Sequence, residues 1–375
     1  MIIEIKGTGN QNKGAEMMLL TVLQQLSQKN LKFAYAPLVR SDQYAFYSKL
    51  GLYPKLWLRY KGFQLGKLGK LIPKTLRSMY GIVIDEEVDA ILDASGFAYS
   101  DQWGTVFTKV MAQETGQWKK AGKKIILLPQ AFGPFDKADI RQYMAEIINN
   151  CDLIYARDPF SFKELVKIKE TEKIKLSPDF TMLLEGVKPD YFDKKKHQVC
   201  IVPNKRVVDK TQEGKSYGSV FVKVINHLAS NGLTPFFLIH GGAEDHAIAV
   251  EINRQLSQPI EIINEEDPIL IKGIIKESVG LVGSRFHSLA SALYSGTIAV
   301  GMGWSHKYKY LFDELGFSEG LIGLNESDDS LYAALEYIID AQKRACQQDR
   351  ILTNVALQKE KTVEMFKEVK HCLSL

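Results

Sequence analysis

The chain has 375 residues, more than a single hydrophobic core usually supports, which predicts two domains. Its composition is that of a soluble globular protein, and its formal net charge of +4 is too small to indicate a nucleic-acid-binding protein. The four cysteines have no disulfide or metal-site spacing, and no run of about 18 apolar residues predicts a membrane span. Because the N-terminus also lacks a signal-peptide pattern, we expect a cytoplasmic protein.

The first predicted strand, Met1–Ile5, leads through a turn rich in Gly and Asn into a helix over Met17–Leu26. Such a turn lets the backbone approach a phosphate or a sugar, which makes Asn10 a candidate binding residue. The turn lacks the GxGxxG spacing of dinucleotide folds and the Lys-Ser/Thr of a P-loop, so neither motif is predicted. A turn that serves packing alone is the alternative.

Residues 52–80 contain seven Lys and Arg residues and no acidic one, with aromatic and aliphatic residues between them. Aromatic rings sit at the headgroup level of a bilayer and lysines contact lipid phosphates, so this mixture is typical of an element at an anionic membrane surface. It predicts peripheral association at the inner face of the membrane. A solvated basic helical hairpin, packed on the domain by its apolar side, is the alternative.

Three further strands are predicted over Ala90–Asp93, Lys124–Leu128 and Leu153–Ala156, with helical patterns between them. Polar or small residues follow these strands, and the candidates among them are Ser95, Gly96, Gln130 and Arg157. Parallel strands that alternate with helices form a doubly wound sheet, whose ligands bind outside the carboxyl ends of the strands. We therefore expect these residues along one edge of a sheet.

Apolar periodicity stops around Glu185–Lys196, where Pro, Gly and charged residues predict a linker. A second series of strands and helices follows. The predicted fold is α/β, with two doubly wound, Rossmann-like domains over residues 1–187 and 197–330 that face a cleft, as in the GT-B architecture. The helices predicted over 331–375 pack back on the first domain in this interpretation.

In the second domain, a strand over Val279–Val282 leads into Ser284-Arg285-Phe286-His287, where a helix begins with Ser284 as its predicted N-cap. Helix starts present N–H groups and the positive end of the dipole. Together with a cation and an imidazole, they fit a small dianion and an acid/base group. The alternative is that Arg285 pairs with a carboxylate and His287 packs in the core.

Several short motifs occur in the order in which they are found in the polysaccharide pyruvyl transferase family, which the sequence resembles across nearly its whole length. They are Asn10 with Gly14-Ala15-Glu16, Ser95-Gly96-Phe97, Pro129-Gln130, Arg157-Asp158, Pro178-Asp179, Pro203-Asn204 and Ser284-Arg285-Phe286-His287-Ser288 with Lys307 downstream. Each motif is weak alone, and their shared order carries the resemblance. Lys13 departs from the residue that many relatives have.

The resemblance implies an enzyme that moves the enolpyruvyl group of phosphoenolpyruvate onto a sugar of a bacterial surface polysaccharide or its lipid-linked precursor. A cyclic pyruvate ketal and phosphate are the implied products. Phosphoenolpyruvate is then a co-substrate, and neither a cofactor nor a metal is expected. The donor's carboxylate and phosphate require cations, and the proton transfers require a group that titrates near neutral pH, as histidine does.

Carried over by position, the resemblance implies that Arg285 and His287 are catalytic, with His287 as general acid/base. The implied donor-binding residues are Arg157, Ser284, Arg285, Phe286 and Lys307, and the acceptor-binding residues are Asn10, Ser95, Gly96 and Gln130. His240, near Asp245 at another predicted strand end, and His306 remain alternative acid/base groups. A GT-B glycosyltransferase with a nucleotide-sugar donor is the second functional hypothesis, and a non-enzymatic sugar-binding or membrane-associated relative is the third.

Overall fold

The computed structural model describes residues 1–10, 12–36, 41–57, 59–60, 63–210, 217–303, 306–323 and 326–375. The chain forms two compact units. The first comprises residues 1–10, 18–180 and 361–375, and the second comprises residues 11–17 and 181–360. The first unit thus ends before the predicted boundary at 187, and of the predicted C-terminal helices only residues 361–375 belong to it.

The first unit is built on a parallel sheet. Its strands are β1 (Ile2–Lys6), β2 (Lys32–Tyr35), β3 (Tyr53–Pro54), β6 (Ala90–Asp93), β7 (Lys124–Gln130), β8 (Leu153–Ala156) and β9 (Ile174–Leu176), in the spatial order β3-β2-β1-β6-β7-β8-β9. Central strands such as β6 and β8 are apolar along nearly their whole length because helices cover both faces of a parallel sheet. Strand β7 extends beyond its predicted end at Leu128, so Gln130 is its last residue.

The helices associated with this sheet are α1 (Lys13–Gln25), α2 (Ser41–Lys49), α3 (Lys74–Met79), α4 (Thr105–Lys120), α5 (Ala138–Asn150) and α6 (Pro159–Ile168). Helix α1 begins before its predicted start at Met17. The Asn12 side chain accepts the Gly14 N–H at 2.9 Å and its carbonyl accepts the Glu16 N–H, which starts the helix early. The first turn of α1 belongs to the second unit.

Residues 52–80 do not form the helical hairpin of the alternative interpretation. After β3 they form a two-stranded antiparallel sheet of β4 (Arg59–Tyr60) and β5 (Phe63–Gln64), a 3₁₀ helix (Leu65–Leu71) and α3. Parts of this segment, including residues 58, 61 and 62, lie outside the described residues. Among the helices that the structure describes, none is both long and apolar enough to cross a bilayer.

The second unit is built on a second parallel sheet. Its strands are β10 (Val199–Val202), β11 (Pro235–Leu238), β12 (Ile262–Ile263), β13 (Gly280–Gly283), β14 (Ile298–Met302) and β15 (Leu321–Ile322), in the order β12-β11-β10-β13-β14-β15. Its helices are α7 (Lys205–Lys210), α8 (Tyr217–Ser230), α9 (Ala243–Asn253), α10 (Pro268–Glu277), α11 (Phe286–Tyr294), α12 (His306–Glu314), α13 (Asp328–Ile339) and α14 (Ala341–Cys372). Helix α14 runs on into residues that belong to the first unit.

The strand order reverses direction within each sheet, between β1 and β6 in the first and between β10 and β13 in the second. Ligands of doubly wound sheets bind at the carboxyl ends of the strands at such reversals. Asn10 and Ser95 follow β1 and β6, and Asn204 and Arg285 follow β10 and β13. Each sheet therefore positions predicted site residues at its own reversal.

Candidate active site

The predicted N-cap at Ser284 is wrong, because α11 begins one residue later, with Arg285 at the N-cap position. Ser284 is fully buried, and its hydroxyl forms a hydrogen bond with the hydroxyl of Tyr217. Its carbonyl accepts hydrogen bonds from Asn204 Nδ2 at 2.8 Å and from the Tyr308 hydroxyl at 3.0 Å. These bonds fix the turn between β13 and α11.

Arg285 forms a bidentate ion pair with Asp245 of α9. Its Nε and Nη2 donate to the carboxylate at 2.7 and 2.5 Å, and the Asp245 side chain is fully buried. A Cβ added to Gly241 would lie 2.2 Å from Arg285 Nη2, so only glycine leaves room for the guanidinium there. The carboxylate pairing considered as the alternative for Arg285 is therefore present, and it fixes the plane of the guanidinium while leaving Nη1 outside the pair.

His287 lies in the first turn of α11, against the first turn of α1. A Cβ added to Gly14 would lie 2.0 Å from His287 Nδ1, so the backbone of α1 supports one side of the imidazole. The ring of Phe286 contacts the imidazole edge-on, with 5.2 Å between ring centroids. The imidazole is thus packed between two elements of the second unit rather than held by a single contact.

Lys13 and His240 complete the polar surroundings of α11. Lys13 donates to Glu16 at 3.0 Å and to the backbone carbonyl of Glu266. His240 is buried, and burial lowers its pKa well below the ordinary value, with the positive charges of Arg285, His287 and Lys13 lowering it further. His240 is therefore neutral at neutral pH.

Phe286 and Lys307 lie next to each other near the start of α11. The ammonium of Lys307 is 5.0 Å from the centroid of the Phe286 ring, a cation–π arrangement that holds a second positive charge near the start of α11. Phe286 is itself buried and packs edge-on against Tyr308. His306 begins α12, but its side chain lies outside what the structure describes.

Arg157, the remaining predicted donor residue, belongs to the first unit. It is buried and donates from Nη1 to Asp179 at 2.9 Å, whose side chain is also buried. Asp158, the next residue in the chain, caps α6 by accepting the Ser161 N–H at 2.8 Å. The buried Arg157–Asp179 pair compensates part of the charge of Arg157 within the first unit.

The predicted acceptor residues line the carboxyl edge of the first sheet. Gln130 is fully buried, and neither its Oε1 nor its Nε2 has a hydrogen-bond partner among the described residues. The same holds for two buried oxygens after β1, Thr8 Oγ1 and Asn10 Oδ1. Ser95 differs, because its N–H and hydroxyl both donate to Asp93. This edge therefore contains buried hydrogen-bonding groups that the rest of the described chain does not satisfy.

The family model for polysaccharide pyruvyl transferases matches residues 12–306, which is most of the chain. The chain belongs to the polysaccharide pyruvyl transferase family. Members are transferases, and the protein is an enzyme of that class. The matched region contains the Arg285–His287 turn and every other predicted site residue except Asn10 and Lys307.

Solved structures that resemble this pyruvyl transferase have the GT-B fold. S. aureus MnaA, in a co-structure with UDP, is 14% identical with a TM-score of 0.61, covering 100% of this chain and 97% of that one. Anabaena HepE, in complex with UDP and glucose, is 13% identical with a TM-score of 0.59, covering 100% and 99%. UDP-GlcNAc 2-epimerase from Neisseria meningitidis, bound to UDP-GlcNAc, is 10% identical with a TM-score of 0.58, covering 97% and 100%. At such identities the likeness shows the two-sheet fold alone.

The residues that support this candidate site are not evident from the sequence. The sequence suggests Asp245 only as a partner of His240 in an alternative acid/base pair, whereas in the structure Asp245 binds Arg285. Gly14 was noted within a motif, without any sign that it contacts His287. Among the described residues, no group of three or more His, Cys, Asp and Glu side chains is arranged to hold a metal ion.

Proposed function

We propose that this pyruvyl transferase moves the enolpyruvyl carbons of phosphoenolpyruvate onto two hydroxyls of one sugar, in a bacterial surface polysaccharide or its lipid-linked precursor. In this reaction C3 of the donor gains a proton and C2 forms bonds to both sugar oxygens. The bond between C2 and the phosphate oxygen breaks. Of the two protons that the hydroxyls lose, one ends on C3 and the other on the released phosphate. The product is a cyclic pyruvate ketal.

The start of α11 is the observation that carries this proposal. Arg285 at its N-cap, His287 in its first turn and the positive end of the helix dipole bring together positive charge and a group that exchanges protons. A donor with both a carboxylate and a phosphate needs the positive charge. Protonation of an enol carbon needs the group that exchanges protons. Lys307 supplies a further cation.

In the proposed mechanism, His287 protonates C3 and accepts a proton from a sugar hydroxyl. Arg285 donates from Nη1 to the donor, while Asp245 positions the guanidinium without touching the substrate. The low pKa of His240 makes it a poor proton donor, which favours His287. Arg157 retains a smaller role as a donor clamp, since Asp179 already compensates part of its charge.

For the acceptor we propose the carboxyl edge of the first sheet. A sugar hydroxyl both donates and accepts, and so does the amide of Gln130, whose two polar atoms are buried without partners among the described residues. Asn10 supplies another hydrogen-bond acceptor, and the backbone at Ser95 and Gly96 completes the edge.

We also infer a cytoplasmic location, because all four cysteines are free thiols, as in a reducing compartment.

The donor assignment is tested by thermal unfolding of the wild type and Arg285→Ala with phosphoenolpyruvate or UDP. A ligand that binds only the folded state raises Tm in proportion to RT ln(1 + [L]/Kd). We expect phosphoenolpyruvate to raise Tm of the wild type and to have little effect on the variant. Release of inorganic phosphate in the presence of acceptor saccharides then confirms the reaction.

The competing hypothesis is a GT-B glycosyltransferase with a nucleotide-sugar donor, since that fold accommodates both reactions. A Tm increase with UDP alone, followed by release of UDP from a UDP-sugar, would establish it and reject the pyruvyl transfer. If neither ligand shifts Tm, the product assay decides, because phosphate and UDP are distinct products.

A further inference from the structure

An exposed apolar surface lies on the first unit, in a segment that contains none of the residues assigned to catalysis. Six of the large apolar side chains that the structure shows exposed fall within residues 68–80, with Leu71 79% and Met79 77% exposed. We call this set the apolar patch, and it consists of Leu68, Leu71, Ile72, Leu76, Met79 and Tyr80. Exposed apolar clusters mark interaction surfaces, whereas single exposed apolar residues are ordinary.

The local structure directs these side chains outward in two groups. In the 3₁₀ helix that ends at Leu71, residues three apart lie on one face, which places Leu68 and Leu71 together. On α3 and its C-cap residue, Leu76, Met79 and Tyr80 are three and four positions apart and again share a face. The 3₁₀ helix and α3 thus each present one row of exposed apolar side chains.

The inner side of the same segment is anchored to the first unit. A Cβ added to Gly69 would lie 2.6 Å from Leu56 Cδ2 and 2.8 Å from Ile84 Cγ2, so glycine permits close packing of the 3₁₀ helix. Arg77 of α3 is buried and donates to Glu87 at 2.5 Å. The segment is therefore fixed by its inner side, and its outer side remains apolar.

The structure also corrects the charge that the sequence attributed to this segment. Lys55 is fully buried, with its ammonium 2.5 Å from Glu4 and 2.8 Å from Asp85. Arg77 is likewise paired inside the unit. Neither can reach a lipid phosphate, so the acid-free run of residues 52–80 overstates the positive charge at the surface.

Of the lysine side chains that the structure describes in this segment, two lie at the surface beside the apolar residues. Lys74, at the start of α3, is exposed, and Lys70 has a side chain 57% exposed with Glu86 at 2.9 Å. Exposed pairs of this kind contribute little and exchange readily with other anions. Among the side chains of this segment that the structure describes, the exposed ones are therefore mainly apolar, with the ammonium groups of Lys70 and Lys74 beside them.

We propose that the apolar patch inserts into the boundary between headgroups and acyl chains of an anionic bilayer, with Lys70 and Lys74 on lipid phosphates. Apolar side chains rimmed by lysine, with a tyrosine that has an apolar ring and a polar tip, match that boundary. Of the proposed function, this inference uses only the lipid-linked acceptor, which the enzyme would meet at such a surface. Apolar insertion rather than charge dominates the binding, so it persists at high salt.

The test is co-sedimentation of the full chain with phosphatidylglycerol/phosphatidylethanolamine vesicles at low and high salt. We expect the wild type to bind at both, and Leu71→Asp/Met79→Asp to lower the partition coefficient at least about tenfold, because two apolar anchors become charged. The matched control is Val106→Asp/Phe107→Asp on α4, where two side chains are 71% and 65% exposed outside the patch. The control should bind as the wild type does.

Vesicle binding is measured without any substrate, so its failure is distinct from failure of the proposed reaction. Absence of wild-type binding, or equal binding by the patch variant with an unchanged Tm, overturns the proposal. So does loss of vesicle binding only at high salt, since charge would then dominate. If the wild type sediments as a dimer without vesicles and the patch variant as a monomer, a second copy covers the patch and the proposal is rejected.

Discussion

The two strand-end clusters of this enzyme differ in how their polar groups are satisfied. In the second unit the guanidinium of Arg285 is clamped by Asp245, and the turn before α11 is tied by Ser284 to three other side chains. In the first unit the amide of Gln130 is buried without a partner among the described residues. The cluster in the second unit is pre-organised before any ligand binds. In the first unit, the buried amide remains available for hydrogen bonds to a ligand or to water.

The largest effect is expected where the pre-organised cluster carries the chemistry. His287→Ala should lower turnover by about 100-fold or more, the usual contribution of a general acid/base. Phosphate release from phosphoenolpyruvate with an acceptor saccharide measures it. His371→Ala, on the exposed end of α14, is the control and should behave as the wild type. Near wild-type turnover of His287→Ala would reject its role.

The position of the His287 imidazole can be changed without substituting the histidine itself. In Gly14→Ala the new Cβ would lie 2.0 Å from Nδ1, so the ring must move. A displacement of about 1 Å from a reactive geometry costs on the order of 100-fold in rate. Turnover should therefore fall about that far while the donor still raises Tm.

Gly116→Ala on α4 is the matched control, because its new Cβ would approach only Asn150 Nδ2, at 3.7 Å. Alanine is the better helix former, so this control should be neutral or more stable by up to about 1 kcal/mol. Full turnover of Gly14→Ala would show that the contact with α1 does not position His287.

Asp245→Asn disrupts the clamp itself. Losing one partner of a buried ion pair costs about 3 kcal/mol, and KM for phosphoenolpyruvate should rise about tenfold as Arg285 loses its orientation. Asp328→Asn, at the exposed pair with Lys223, should cost less than about 1 kcal/mol and leave KM unchanged. A stability loss with unaltered KM would make the clamp purely structural.

The central residues of the cluster in the second unit could be predicted from the sequence because they are neighbours in the chain. The strand β13, the turn at Arg285 and the start of α11 are adjacent in the chain, and apolar runs such as β6 and β8 gave strands with the predicted bounds. A buried parallel strand can be recognised in a sequence by its continuous apolar residues, without any information about the strands that lie beside it.

What the sequence could not supply are contacts between distant segments. Gly14 meets His287, and Asp245 meets Arg285, only after the sheet of the second unit has formed. The run of basic residues at 52–80 misled for the same reason, since Lys55 is neutralised by acids that lie outside the window. A charge in a sequence is exposed or paired only by virtue of tertiary structure.

The smallest expected effect tests the unsatisfied cluster and has an unusual sign. In Gln130→Leu a buried amide without partners among the described residues is replaced by an apolar side chain of similar size, so the free energy of unfolding should stay equal or rise by about 1 kcal/mol. KM for the acceptor should rise a few fold, while Tm still responds to phosphoenolpyruvate.

Gln347→Leu is the control, because it deletes a 3.0 Å bond from Nε2 to the Gly316 carbonyl and should destabilise the protein by about 1 kcal/mol. If Gln130→Leu destabilises the first unit and leaves acceptor saturation unchanged, the amide is a structural group and the acceptor binds elsewhere. Retained stability with weakened acceptor binding would show instead that this edge keeps its hydrogen bonds for the substrate, as residues at functional sites do at the expense of stability.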